Sequence, residues 1–155
     1  MKSAARTLLA IAVLICPAIG SAQLGGPAAD MGAINNLLAE LLRNYQERNV
    51  AGMSGLMATE LQAYGSTFNA TSLQDWRNKV SNTLTSVRGV RVVGKQDVTM
   101  SGNLAYVAFL TDVQREAPAG VTTGRARWSV VFQKSNNRWV VVHYHVSPDP
   151  TGRTQ

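Results

Sequence analysis

Cysteine and histidine are scarce in this sequence, and their scarcity limits how the protein is held together and what it binds. Cys16 is the only cysteine, and His143 and His145 are the only histidines among the 155 residues. A single cysteine cannot form an intrachain disulfide. The hydrophobic core must therefore stabilise the fold alone.

Charged residues are also few, at 15% of the chain, against 45% hydrophobic residues. Fifteen Lys and Arg face nine Asp and Glu, for a net charge of +6, but the basic residues are scattered, with no run and no interleaved ladder of aromatic residues. Nucleic-acid binding usually requires a clustered basic surface. We therefore expect no nucleic-acid partner, and the composition is that of one globular domain.

No apolar run is long enough to cross a bilayer, which takes about 20 residues. Residues 8–15 form an unbroken apolar run, but Pro17 and Gly20 follow it closely, and Lys2 and Arg6 precede it. This order of a positive start, a short apolar run and small residues is typical of a secretory signal peptide.

Residues 1–22 are accordingly predicted to be a signal peptide that is cleaved after Ala22. A lipoprotein signal ending at Cys16 is the alternative, and Ile15 and Pro17 fit it poorly. The mature protein would be periplasmic or secreted, without stable membrane insertion. It would lack cysteine, and its net charge would be about +4 because two basic residues leave with the signal.

Apolar spacing predicts three helices after a flexible linker at residues 23–29. The first helix covers residues 31–48, with Asp30 as a possible N-cap. A second helix runs to about Leu61, and a third begins at Ser72, whose hydroxyl is a capping group.

From Arg88 onward the pattern predicts four strands in an antiparallel meander. The predicted strands are residues 90–100, 104–113, 122–134 and 139–146. Tight turns at residues 102–103 and 136–137 contain Gly and Asn, which tolerate positive φ. Helices followed by strands indicate an α+β domain with helices on one face of a curved sheet. We place this domain at residues 30–148 and a C-terminal tail at residues 149–155.

Three stretches carry a resemblance to a known family: residues 47–65, residues 104–107 and, above all, residues 124–147. They resemble the SnoaL-like branch of the nuclear transport factor 2-like superfamily. Relatives there include ketosteroid isomerases and the association domain of calcium/calmodulin-dependent protein kinase II. The resemblance implies a cone, in which a bent antiparallel sheet wraps around the long first helix and a ligand pocket opens at one end.

Strict alternation along the last strand divides its side chains between two faces. Trp139, Val141, His143 and His145 are predicted to share one face, opposite Val142, Tyr144 and Val146. By the resemblance, Tyr144 and Val146 face the pocket. Sheets in this superfamily commonly pair, so the first set is predicted to form a homodimer interface.

The two histidines could share a metal ion, as the histidine pair of cupins does. Cupins also use a downstream acid and a further histidine, whereas only Asp149 follows here. We therefore assign no metal site and no cofactor, and we interpret both histidines as structural.

Catalytic residues carried over from the ketosteroid isomerases are also missing. Their general-base carboxylate belongs in the turn at residues 63–66, and their oxyanion-donating Tyr belongs where Leu41 stands. Proton transfer beside a carbonyl needs both groups. Asp112 with Arg125 or Arg127 is a different polar cluster, and a surface ion pair is its simpler interpretation. We assign no catalytic residue.

The predicted function is therefore an exported, non-catalytic, dimeric module that binds a small, largely apolar ligand. The arginines with which the kinase association domain grips carboxylates correspond to Val130 and Val146, so an anion clamp is not expected. The predicted lining of the cone is Tyr64, Trp76, Phe109, Trp128, Val130, Phe132, Val142, Tyr144 and Val146.

Three alternatives remain at this stage. The same side chains could fill the cone and leave no cavity. The protein could be an isomerase, hydrolase or cyclase acting on a small hydrophobic substrate. It could also be a scaffold that only oligomerises.

Overall fold

Three helices and six strands form the part of the chain that the computed structural model describes, residues 26–151. The predicted signal peptide, residues 23–25 and residues 152–155 lie outside this range. The helices are α1 (Pro27–Gln46), α2 (Val50–Gly55) and α3 (Leu73–Leu84). The strands are β1 (Met57–Tyr64), β2 (Asn69–Ala70), β3 (Val87–Ser101), β4 (Leu104–Ala117), β5 (Gly120–Ser135) and β6 (Arg138–Pro148). The α+β class predicted from the sequence is confirmed.

The six strands form one curved sheet in the order β2-β1-β6-β5-β4-β3. The predicted meander is β3 to β6, and its pairs are antiparallel. Its turns have positive φ at Gly102, Asn136 and Asn137, and both glycine and asparagine tolerate that conformation. The sheet differs from the prediction in being mixed, because β1 runs parallel to β6.

The predicted second helix is wrong beyond Gly55, since β1 occupies residues 57–64. In β1, Leu61 and Ala63 are fully buried, whereas Glu60, Gln62 and Tyr64 are exposed, which is the two-residue period of a strand. Pairing with β6 stabilises this conformation, and the preceding Leu56 carbonyl accepts a hydrogen bond from the Val141 N–H at 2.9 Å. Tertiary pairing thus overrides the local helical pattern.

Helix α1 begins at Pro27, before the predicted start at residue 31, so residues 27–29 of the predicted linker are helical. Proline suits the first turn of a helix because an N–H group at that position has no acceptor within the helix, so no hydrogen bond is lost. Asp30 is therefore not the N-cap. Its carboxylate accepts hydrogen bonds from Lys134 Nζ at 2.6 Å and Trp139 Nε1 at 3.0 Å, which ties α1 to the sheet.

The predicted cap of α3 is confirmed, because Ser72 Oγ accepts a hydrogen bond from the Asp75 N–H at 3.2 Å. One side of this helix buries Trp76, Val80 and Leu84. Of the helices among residues 26–151, none combines the length and the apolarity that a membrane crossing requires.

A β-bulge in β6 changes which side chains point inward. Val131 pairs with His143 and Phe132 with Val141, so Val142 is an extra residue with no partner of its own. Trp139 and Val141 consequently share a face with Tyr144. We call this the inner face, and the side that carries His143 and His145 the outer face.

The predicted outward facing of Trp139 and Val141 is therefore wrong. Both belong to the hydrophobic core, with 4% and 0% of their surface exposed. Strict alternation fails because the bulge shifts the side-chain parity by one residue. His143 and His145 do lie on the outer face, and their part in a dimer stays a prediction.

Strand β3 forms one edge of the sheet and is itself interrupted. Its register against β4 shifts between Val93 and Asp97, and Gly94 there has a φ of +72°. The positive φ favours glycine at this position. The edge strand therefore bends in its middle and does not run straight.

We expect the Trp139→Ala substitution to lower the free energy of unfolding by about 3–5 kcal/mol, because it removes a buried aromatic side chain. His145→Ala, on the same strand but exposed, should change it by no more than about 0.5 kcal/mol. Urea denaturation followed by circular dichroism measures both. Equal, small effects would contradict the inward facing of Trp139.

Candidate functional site

The interior of the cone is filled with side chains that the sequence marked as pocket lining. Six of them converge on the inner face with no more than 5% of their surface exposed: Trp76, Phe109, Trp128, Val130, Phe132 and Tyr144. Core filling, the alternative to a deep pocket, is thus what the structure shows for these six residues.

Trp128 is the centre of an aromatic cluster in this interior. Its ring stacks on Phe109 at 5.7 Å between centroids and on Tyr144 at 6.1 Å, and it meets Tyr45 edge-to-face at 5.2 Å. Such pairs add about 0.5–1.5 kcal/mol each beyond the burial of their area. The cluster connects α1 with three strands.

The polar atoms of this cluster have partners, as buried donors require. The Trp128 indole N–H donates to Thr111 Oγ1 at 2.9 Å, and the Trp76 indole N–H donates to the Tyr144 hydroxyl oxygen. Burial raises the pKa of Tyr144 well above its usual value, so its hydroxyl stays protonated. The interior is therefore a packed core with internally satisfied hydrogen bonds.

A cavity of about 230 Å³ opens at the end of the cone, where the C-terminal ends of α1, β4 and β6 meet the start of β5. We call it the mouth. Val113, Ala126 and Val146 supply apolar walls, and Tyr45 and Arg115 supply hydrogen-bonding groups. Val146 is the one residue of the predicted pocket lining that borders it.

Arg115 is held at the mouth by neutral oxygen atoms. Its guanidinium donates to the Tyr45 hydroxyl oxygen at 2.9 Å, to the Thr83 carbonyl at 3.1 Å and to Ser86 Oγ at 3.3 Å. Burial raises the pKa of Tyr45, and the nearby positive charge opposes that rise. Among residues 26–151, none of the ion pairs includes Arg115. Its charge can therefore attract an acceptor oxygen of a ligand.

The described residues that line the mouth include no Asp, Glu or His. The turn where ketosteroid isomerases carry their base contributes Ser66 to the lining, and Leu41 is buried within the core. Proton abstraction needs a base within hydrogen-bond reach of the substrate. The described lining of the mouth therefore offers hydrogen-bonding groups from Tyr45 and Arg115 but no carboxylate or imidazole.

Tyr64 and Val142 do not line the cone, which corrects their predicted placement. Tyr64 is 40% exposed and contacts the His143 ring on the outer face, because β1 turns Ala63 inward instead. Val142 is the bulge residue and borders an open groove with Val140 and His143.

Asp112 does not itself line the mouth, although its partner Arg125 does. It accepts hydrogen bonds from Arg125 Nε at 2.9 Å and Arg91 Nη2 at 2.7 Å, whereas Arg127 pairs with Asp149 at 2.7 Å. Hydrogen bonding to Arg125 is the main reason why the pKa of Asp112 lies below its usual value. The predicted cross-strand pair with Arg125 is present, but it is not a surface pair, because Asp112 keeps only 7% of its surface exposed.

The histidines lie side by side on the outer face. Burial, followed by the neighbouring His145, lowers the pKa of His143. In the described part of the chain, no three His, Cys, Asp or Glu side chains lie close enough to hold a metal ion.

Sequence reasoning missed Tyr45 and Arg115 as functional candidates. Tyr45 falls within the predicted first helix, where it was given no role of its own, and Arg115 lies just beyond the predicted end of its strand. The strand in fact continues to Ala117. Had the prediction extended it that far, side-chain alternation from the inward-facing Val113 would have placed Arg115 on the inner face as well.

The family follows from residues 34–150, which match the model of the SnoaL-like domain. The chain belongs to the SnoaL-like domain family. No curated protein sequence matches it significantly.

Solved structures of the nuclear transport factor 2-like superfamily share this cone. A superfamily member from Salmonella enterica serovar Typhimurium is 14% identical with a TM-score of 0.73, over 83% of this chain and 97% of that one. A protein assigned as a ketosteroid isomerase, from Shewanella frigidimarina, is 20% identical with a TM-score of 0.66, over 74% and 94%.

A third similar structure is assigned as a calcium/calmodulin-dependent kinase II association domain from Exiguobacterium sibiricum. It is 15% identical with a TM-score of 0.66, over 81% of this chain and 98% of that one. At these identities the likeness shows the fold, and the function depends on the residues at the site.

Tyr144→Phe should lower the free energy of unfolding by about 1–3 kcal/mol, because it leaves the buried Trp76 indole N–H without its acceptor. The matched change Tyr106→Phe removes a hydroxyl from a side chain that is 45% exposed and should be nearly neutral. Thermal and urea unfolding of the two variants compare them. Equal stabilities would contradict the buried hydrogen bond.

Proposed function

We propose that this SnoaL-like domain binds a small, largely apolar molecule at the mouth of the cone and does not convert it chemically. The observation that carries the proposal is the mouth itself, with apolar walls at Val113, Ala126 and Val146 and hydrogen-bond donors at its rim. Ligand sites typically combine apolar walls with a few placed polar groups.

The ligand class follows from the donors. Arg115 carries a positive charge and Tyr45 a hydroxyl group, so a bound molecule gains most by presenting a carbonyl, ether or carboxylate oxygen there. Its apolar body rests on the valine walls. The small volume and the packed interior favour a ligand of one or two rings that enters only the outer part of the cone.

We also propose that the protein is exported and works as a homodimer. The N-terminal signal pattern supports export. The outer face supports association, because it exposes Tyr106 at 45% and carries the half-buried Leu110, Val131 and Val140. Apolar patches on a sheet face often mark protein interfaces.

A fragment set of one- and two-ring compounds should shift the backbone amide signals of residues at the mouth in protein NMR spectra. Val146→Phe fills part of the mouth and should weaken that binding at least about tenfold. Val140→Phe, the same change at a half-buried position on the outer face of the same strand, should leave it unchanged. Shifts confined to other surfaces, or none, would refute binding at the mouth.

Light scattering coupled to size-exclusion chromatography should give twice the monomer mass of the purified protein. Tyr106→Asp places a charge within the outer face and should shift the protein towards monomer. Val121→Asp alters an apolar side chain of even higher exposure, 63%, on the same face but ten residues along β5 from Val131, which pairs with Tyr106, and should not. A monomeric wild type at high micromolar concentration would contradict the dimer.

A further inference from the structure

A polar groove adjoins the mouth, between α3 and the turn that joins β1 to β2. Its volume is about 800 Å³. Ser66 and Arg115 border both the groove and the mouth, so the two spaces are adjacent. Neutral hydroxyl and amide side chains line most of the groove: Ser66, Thr67, Asn69, Asn78, Asn82 and Thr83.

The groove carries little free charge. Lys79 is neutralised by Asp75 at 2.8 Å and also donates to the Asn69 carbonyl at 2.7 Å. Among the described residues that line the groove, Arg115 is the other cation, and it lies where the groove meets the mouth. Asparagine, serine and threonine side chains both donate and accept hydrogen bonds, which matches the hydroxyl groups of a ligand better than a formal charge.

An aromatic ring forms one wall of the groove. Phe68 is half-buried, and its ring lies so close to Gly65 that a Cβ on that glycine would come within 2.7 Å of it. Glycine at this position therefore allows the Phe68 ring to pack against the turn. Aromatic faces offer apolar contact to molecules that are otherwise polar.

We propose that the groove is a second subsite that holds a hydroxyl-rich substituent, such as a sugar, of the ligand whose apolar part occupies the mouth. This inference rests on the proposed binding at the mouth. Arg115 contributes to both subsites and fixes the oxygen that joins the two parts of the ligand. The domain then selects a glycosylated or polyhydroxylated compound over the bare apolar one.

Isothermal titration calorimetry of the purified protein with 2-naphthol and with both anomers of 2-naphthyl D-glucoside tests the subsite. At least one anomer should bind about fivefold or more tightly than 2-naphthol, the gain expected from one or two net hydrogen bonds. Asn82→Ala should remove most of that gain and leave the affinity for 2-naphthol unchanged. Asn36→Ala, the same change on the exposed surface of α1, should alter neither.

The outcomes separate the two proposals. If 2-naphthol binds and neither glucoside binds more tightly, the sugar subsite is wrong and binding at the mouth stands. If 2-naphthyl sulfate binds more tightly than both glucosides, the groove is an anion site and the inference is overturned. If none of these compounds binds, both proposals are wrong.

Discussion

The extra residue in β6 is the constraint on which the rest of the cone depends. The bulge inserts Val142 as an extra residue, and Trp139, Val141 and Tyr144 therefore lie on the same face. Without it, either the tryptophan or the tyrosine would point away from the helices. The tyrosine would then lose Trp76, and the tryptophan would lose the carboxylate of Asp30.

The aromatic interior explains why binding is expected at the rim of the cone. Trp128 contacts Tyr45, Phe109 and Tyr144, and the indole donors of the interior are already satisfied by protein oxygen atoms. A ligand that entered more deeply would have to displace these contacts. At the rim, in contrast, the partners of the Arg115 guanidinium within residues 26–151 are neutral oxygens, so an incoming charged acceptor competes with weaker partners.

The sequence predicted the parts of this fold that local patterns determine. The apolar stripe of α1, the Ser72 cap of α3 and the glycine and asparagine turns of the meander each have a mechanism that acts over a few residues. β1 was missed because its strand conformation depends on pairing with β6, distant in the chain. The bulge has no signal in the valine-rich stretch around it, and so the facing of Trp139 could not be derived. Trp76, Phe109 and Trp128 were correctly brought together, but whether they enclose space or fill it depends on packing.

The bend at Gly94 has a bearing on how copies of this protein meet. A straight edge strand offers a row of free N–H and C=O groups to any neighbouring chain, and such rows promote fibrous aggregates. Here the row is broken in the middle of β3, next to the charged Lys95 and Asp97. The broken row therefore disfavours growth of the sheet from one molecule to the next. This matters for a protein with a single cysteine, because no intrachain disulfide holds its strands together when the fold opens.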